Sequence, residues 1–230
     1  MKKYGRKKPV KEIENNHILT KWQKLFLKTF ADSELNELFR LSGGTALSAF
    51  YLEHRLSFDL DFFSSETIPF YMIDHFIKDL DFIDKSNRVK HYDRNIITIE
   101  LHDRSLLKTE FTYYPLKSMA SHEKVDGLYI DSFFDIAVNK LCAIADRFDI
   151  KDYVDIYSAC RDKPDLLRIF LDKAEKKCEI SGIHHILKYR LLQIPDGFEK
   201  LSLKSTIDQK EMELFFKLFV KKMVESEIIK

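Results

Sequence analysis

Asp59 and Asp61 stand two positions apart in the segment SFDLDFF, a spacing that puts both carboxylates on one face of a strand. Such a pair offers the oxygen ligands that a hard divalent cation, Mg2+ or Mn2+, prefers. On an edge strand the same pair is two solvated acids. In a buried sheet the two charges repel and lose water unless a cation neutralises them. Phe58, Leu60 and Phe62 alternate with the acids, so the segment reads as a buried strand. Upstream lies Gly43-Gly44-Thr45. Alone it is a tight turn, but before a helix its N–H groups can hold phosphate and Thr45 can add a hydroxyl or cap the helix. A phosphate loop facing a metal-binding acid pair is what phosphoryl or nucleotidyl transfer requires.

These groups need elements to position them. Apolar residues recur at three and four from Glu12 to Arg40, among them Ile18, Trp22, Phe26 and Phe30, which predicts one or two amphipathic helices. Residues 41–45 read as a short strand or turn, 46–55 as the helix returning the chain to the acids, and 69–80 as another helix. Three antiparallel strands are expected over 88–92, 95–102 and 106–114, with a short strand at 128–130. The pattern then turns helical, over 132–147, 150–160, 165–179, 182–191 and 209–227. An α+β front half followed by a helical back half predicts a division into residues 1–125 and 126–230.

Composition narrows the class. In 230 residues, Lys+Arg 38 nearly balances Asp+Glu 37, so no global field marks a nucleic-acid binder, although a local basic groove is compatible with it. The 45% hydrophobic and 33% charged residues fit a soluble globular protein. No apolar run approaches the ~20 residues that span a bilayer, and the basic start, expected as a loose arm over the first ten residues, lacks the apolar core of a signal peptide. A cytoplasmic protein without a membrane partner is expected. Cys142, Cys160 and Cys178 are too few and too far apart for a disulfide framework or a zinc cluster, and read as reduced thiols in helices. His54 reads as a hydrogen-bonded structural histidine, and His184-His185 as surface residues. Lys173, Lys176, Lys177, Lys188 and Arg190 read as a solvated basic face that an RNA acceptor could use.

The stretch GGTALSAFYLEHRLSFDLDFF closely resembles the glycine-loop and D-x-D signature of the AbiEii/AbiGii toxin family of nucleotidyltransferases, with His54, Arg55, Ser57, Asp59, Leu60, Asp61, Phe62 and Phe63 in the family's places. Downstream, NKLCAIADRFDIKDYVDIY is similar to the family's helical segment through Lys140, Ala143, Arg147, Lys151, Asp152, Asp155, Ile156 and Tyr157. The likeness spans residues 40–160, and the last 70 residues offer only helical character.

The resemblance implies a polymerase-β-like nucleotidyltransferase palm, a mixed sheet with flanking helices, followed by a helical C-terminal part. It implies an NTP donor held by Gly43, Gly44 and Thr45, with Arg55 and Ser57 nearby, and a third carboxylate beside Asp59 and Asp61. Glu110 fits that third place, since alternation sets it with Lys108 and Thr112 opposite Leu107, Thr109 and Phe111. Glu100 is the rival, and Glu110 could instead pair with a cation across strands. Arg55 could meet substrate phosphate or pair with Asp61. Lys140 and Arg147, seven apart, share a helical stripe, as do Asp152 and Asp155. They are either an exposed, ion-paired helix or, as the resemblance implies, catalytic and nucleotide-binding groups: Lys140 on phosphate and Asp152 orienting it, supported by Arg147, Lys151 and Asp155. An RNA 3′ end, tRNA included, or a protein hydroxyl would be the acceptor, and an antitoxin the cognate partner. The contrasting expectations are a catalytically silent nucleotide-binding regulator and an RNA-binding partner protein.

Overall fold

The structure, a computed structural model, describes residues 12–228; the expected N-terminal arm lies outside them. The chain divides between Phe133 and Phe134 into two compact units.

The first unit is built on a mixed seven-stranded sheet. Its strands are β1 (Arg40–Ser42), β2 (Leu60–Ser64), β3 (Ile83–His91), β4 (Arg94–Leu101), β5 (Leu106–Tyr113), β6 (Glu123–Val125) and β7 (Leu128–Ile130), in the order β3-β4-β5-β2-β1-β7-β6. β2 runs antiparallel to β1 and parallel to β5, while β3, β4 and β5 form an antiparallel meander. Alternation gives this sheet two unlike faces. One is aromatic: Phe62 on β2 stacks on Phe111 of β5 at 5.1 Å and lies 4.2 Å from Phe30. Phe26 and Phe30 come from helix α1 (Lys21–Ala31), and Phe76 from α3 (Phe70–Lys78) meets both rings edge-on. The other face carries Asp61 and Glu110.

A capping box starts α1. The Thr20 hydroxyl accepts from Gln23 N–H, and the Gln23 side chain accepts from Thr20 N–H. The Gln23 amide nitrogen also donates to the carbonyls of Ser57 and Phe58, at 3.0 and 3.1 Å. Those carbonyls therefore serve α1 rather than a neighbouring strand, which is why β2 begins at Leu60 and Phe58, expected on the buried face, is exposed. Helix α2 (Gly43–Leu47) continues through a π-helical turn (Ser48–Leu52). Ser42, not Thr45, occupies the N-cap position. Thr45 lies inside the helix, buried, with its hydroxyl donating to the Asp59 carbonyl.

The second unit is helical: α4 (Phe133–Asp146, which begins at the last residue of the first unit), α5 (Ile150–Cys160), α6 (Asp165–Cys178), α7 (Ile183–Leu191) and α8 (Gln209–Ile228). Contacts between α4 and α6 correct two expectations. Cys142 and Cys178, expected as free thiols, are joined in a disulfide 36 residues apart in sequence, with Cα atoms 6.3 Å apart, leaving Cys160 free and buried. Lys177, expected on a solvated basic face, is buried and donates to Asp135 at 2.8 Å. Sequence separation conceals both pairs, because only the crossing of two helices brings them together. Among the described residues, no helix is long and apolar enough to cross a membrane.

Candidate active site

Register assembles the first unit's site. Ser42, the residue before the glycine turn, pairs with Asp61, and Asp61 pairs with Glu110 on the next strand. The row then continues to Ile96 on β4 and Val89 on β3. Neighbouring strands lie about 4.8 Å apart, so Asp61 and Glu110 are as close as adjacent strands allow. Glu100, the rival third acid, pairs in register with Leu106 at the other end of β4 and binds Arg104 at 3.0 Å. Glu110 is the acid beside the pair.

Each flanking acid leans on a cation of the chain. Asp59 Oδ2 is 3.4 Å from Lys108 Nζ, and Glu110 Oε1 is 3.5 Å from Arg94 Nη1. Thr112 donates its hydroxyl to the same Glu110 oxygen at 3.1 Å. Among the described residues, no three ligand-type side chains already converge on one point; the backbone register groups these acids. As a donor set they fit a hard divalent cation, being all-oxygen, with two on one strand and a third in register beside them.

The glycine turn packs directly on this row. Gly43 has φ of +68°, a conformation that favours glycine. A Cβ there would overlap the Asp61 carboxylate. At Gly44 a Cβ would lie 2.5 Å from Arg55 Nη2 and 3.0 Å from Ser57 Oγ. Gly43, Gly44, Arg55, Ser57 and Asp61 thus form one cluster. Arg55 is buried, and its Nη1 donates to the Leu56 carbonyl at 3.0 Å. The Ser48 hydroxyl donates to the Arg55 carbonyl, fastening the strap between the π-helical turn and β2. His54 is buried too. Sequence reading did not single out Gln23, which holds that strap from the other side, although the Thr20-to-Gln23 spacing signals a capping box. Nor did it single out Arg94, whose place beside Glu110 exists only through strand pairing.

The second unit holds the other expected residues. Lys140 Nζ on α4 lies 2.8 Å from both Asp152 Oδ1 and Asp155 Oδ2 on α5. Both carboxylates have no exposed side-chain surface, and the lysine is 7% exposed. Arg147 donates to both Asp152 oxygens, at 2.8 and 3.1 Å, with its side chain 52% exposed. Burial pushes the Asp152 carboxyl up, but Lys140 and Arg147 more than reverse this and hold it below its ordinary value. Arg147 therefore presents this cluster's charge to solvent. Lys151 is exposed on α5, its N–H capped by the Asp149 carboxylate at 3.0 Å.

The mixed sheet with flanking helices is a nucleotidyltransferase palm, and by its family this chain is a nucleotidyltransferase. The family model for the nucleotidyl transferase AbiEii toxin of type IV toxin–antitoxin systems matches residues 25–228, and the chain belongs to that family. It is 32% identical to the uncharacterized protein aq_aa25 of Aquifex aeolicus (strain VF5) over 189 residues, covering 82% of this chain and 89% of the relative. Two Helicobacter pylori crystal structures share the fold. One protein, proposed to be a nucleotidyltransferase, aligns with a TM-score of 0.58 at 19% identity over 92% of this chain and 99% of its own. The other, JHP933, aligns with a TM-score of 0.52 at 19% identity over 88% and 90% of the two chains.

Proposed function

We propose that the protein transfers a nucleotide from an NTP to an acceptor hydroxyl, on an RNA or tRNA 3′ end or on a protein, as the toxin of a toxin–antitoxin pair with a cognate antitoxin. The observation that carries this reading is the register row Ser42–Asp61–Glu110, which sets a glycine turn on one side of the acid pair and a third acid on the other.

Asp59, Asp61 and Glu110 would hold Mg2+ or Mn2+, which supplies Lewis-acid stabilisation of charge on the phosphoryl oxygens. The chain's own groups do the rest. Backbone N–H groups at Gly43 and Gly44 bind the triphosphate, and the absence of a side chain lets phosphate approach the acids closely. Thr45 serves by tying α2 to the Asp59 carbonyl. Arg55 and Ser57, packed on Gly44, shape the nucleotide side of the turn. Glu110 accepts the proton from the attacking hydroxyl, and the leaving group is pyrophosphate. The family motif supports a part in nucleotide handling for Lys140, Arg147, Lys151, Asp152 and Asp155, with Arg147 as the exposed phosphate contact and Lys140, Asp152 and Asp155 positioning it.

The test is incubation of purified protein with each labelled NTP, Mg2+ or Mn2+, total RNA and cell protein. Label is expected to move to one acceptor class. The variant combining Asp59→Ala with Asp61→Ala should transfer none while unfolding in urea as the parent does. Transfer at the parental rate by that variant overturns the assignment.

A further inference from the structure

We infer that Gln23, on α1, is a positioning residue for the cation site: its buried amide fixes the backbone from which Asp59 reaches the metal. This rests on the proposed metal-dependent transfer and deepens it, giving the metal site a support outside the glycine turn and the acid strands.

The two acids of the pair are held in unlike ways. Asp61 lies inside β2, between Ser42 on β1 and Glu110 on β5. Asp59 precedes the strand, whose pairing with β5 begins at Leu60 and with β1 at Asp61. The side chains of Lys108 and Asp59, 3.4 Å apart, are 44% and 45% exposed, and so solvated an ion pair fixes a carboxylate only loosely. A cation shared by both acids needs them at a set separation. Something other than the ladder must therefore hold Asp59.

Side chains do so. Five successive carbonyls, from Arg55 to Asp59, each accept from one. Ser48 donates to Arg55, the Arg55 guanidinium to Leu56, the Gln23 amide to Ser57 and Phe58, and Thr45 to Asp59. Thr45 and Ser48 belong to α2 and the π-helical turn that follows it. Gln23 reaches in from α1. It is 1% exposed and shares its helix face with Phe26 and Phe30, three and seven positions on. Both rings pack on Phe62 of β2, at 6.0 and 4.2 Å. One face of α1 thus grips the strand that carries Asp61 and the backbone that carries Asp59, and so sets one acid against the other. The amide is fully engaged: both N–H groups are on these carbonyls and its oxygen is on the Thr20 N–H. A capping box asks only for that oxygen, which Glu supplies equally well. The two donors go to the backbone leading into Asp59, as an outer partner does when it orients a metal ligand.

The test reads Mn2+ binding by the full chain, without NTP, from the electron paramagnetic resonance signal of the free ion. Asp59→Ala is expected to lose the binding shown by the parent. Gln23→Leu should raise the Kd for Mn2+ about tenfold. Gln23→Glu keeps the capping oxygen and removes the donors, so it should do the same, and it serves if Gln23→Leu fails to fold. Thr20→Ala opens the capping box but leaves the amide in place, so it should lower the urea midpoint and keep the parental Kd. In transfer assays the Gln23 variants should need about tenfold more Mn2+ for half-maximal rate, with KM for the NTP at saturating Mn2+ unchanged. Parental Mn2+ affinity in a folded Gln23 variant, where Asp59→Ala has lost it, overturns the inference alone. So does an equal loss in Thr20→Ala, since the helix start and not the amide would then be responsible. A parent that binds no Mn2+, or Asp59→Ala that binds as the parent does, removes the cation assignment and the inference with it. Mn2+ binding that depends on Gln23, without transfer from any NTP, upholds the positioning and overturns the transfer.

Discussion

Gly43 meets two requirements at once: a positive φ, and no atom where a Cβ would overlap the Asp61 carboxylate. Gly43→Ala violates both. Backbone strain alone costs about 1 to 2 kcal/mol, and the overlap displaces an acid that we propose holds the cation. The variant should lose stability by at least that amount in urea unfolding, and its nucleotide transfer should fall at least tenfold. Gly43→Asn, which tolerates the φ but not the overlap, should recover part of the stability and none of the rate. Parental transfer by Gly43→Ala would show that the turn does not approach the nucleotide. Gly43, Gly44, Arg55, Ser57, Asp59, Asp61 and Glu110 were all nameable from the sequence, and the structure brings them around one row of the sheet. The role of the Thr45 hydroxyl was not legible, because its partner is a carbonyl 14 residues away.

Helices α4 and α5 are joined by charge as well as by apolar packing. Lys140 between Asp152 and Asp155 is a buried ion cluster, and such clusters are costly to break because the remaining charges stay desolvated. Lys140→Met is expected to destabilise the protein by about 3 to 5 kcal/mol at pH 7, measured by urea unfolding. The pH dependence has a definite sign. Asp152 has a folded-state pKa held below its ordinary value, so its stabilisation is complete above the unfolded value of about 3.9 and is lost as pH falls through the folded one. The stability gap between parent and Lys140→Met should accordingly narrow as pH is lowered through and below about 4. A constant gap would remove the ion cluster as its cause. Long helices such as α5 were readable from period alone, whereas the start of β2 was not. Alternation suggested that Phe58 belonged to the buried strand, but α1 takes the Ser57 and Phe58 carbonyls through Gln23.

At the scale of the whole chain, a mixed sheet unit and a helical unit divide the work of positioning these groups, and the covalent link lies within the second. Thiol titration in denaturant without reductant should find one reactive cysteine, Cys160, and after reduction three. Native Cys160 should resist modification, because it is buried and burial pushes its thiol pKa up. Three reactive thiols before reduction would refute the Cys142–Cys178 link. Local periodicity and residue chemistry, which the sequence carries by itself, determined the sheet-then-helices order of most elements, the aromatic and acidic faces of β2 and β5, the glycine turn that opens α2, and the family signature. Only the tertiary structure decided the relations between elements distant in sequence: that β5 and not the far end of β4 brings its acid to Asp61, that Lys140 faces two carboxylates, and that Cys142 meets Cys178. Periodicity sets which way a side chain faces. Its partner is set by strand register and helix crossing, which no single segment encodes.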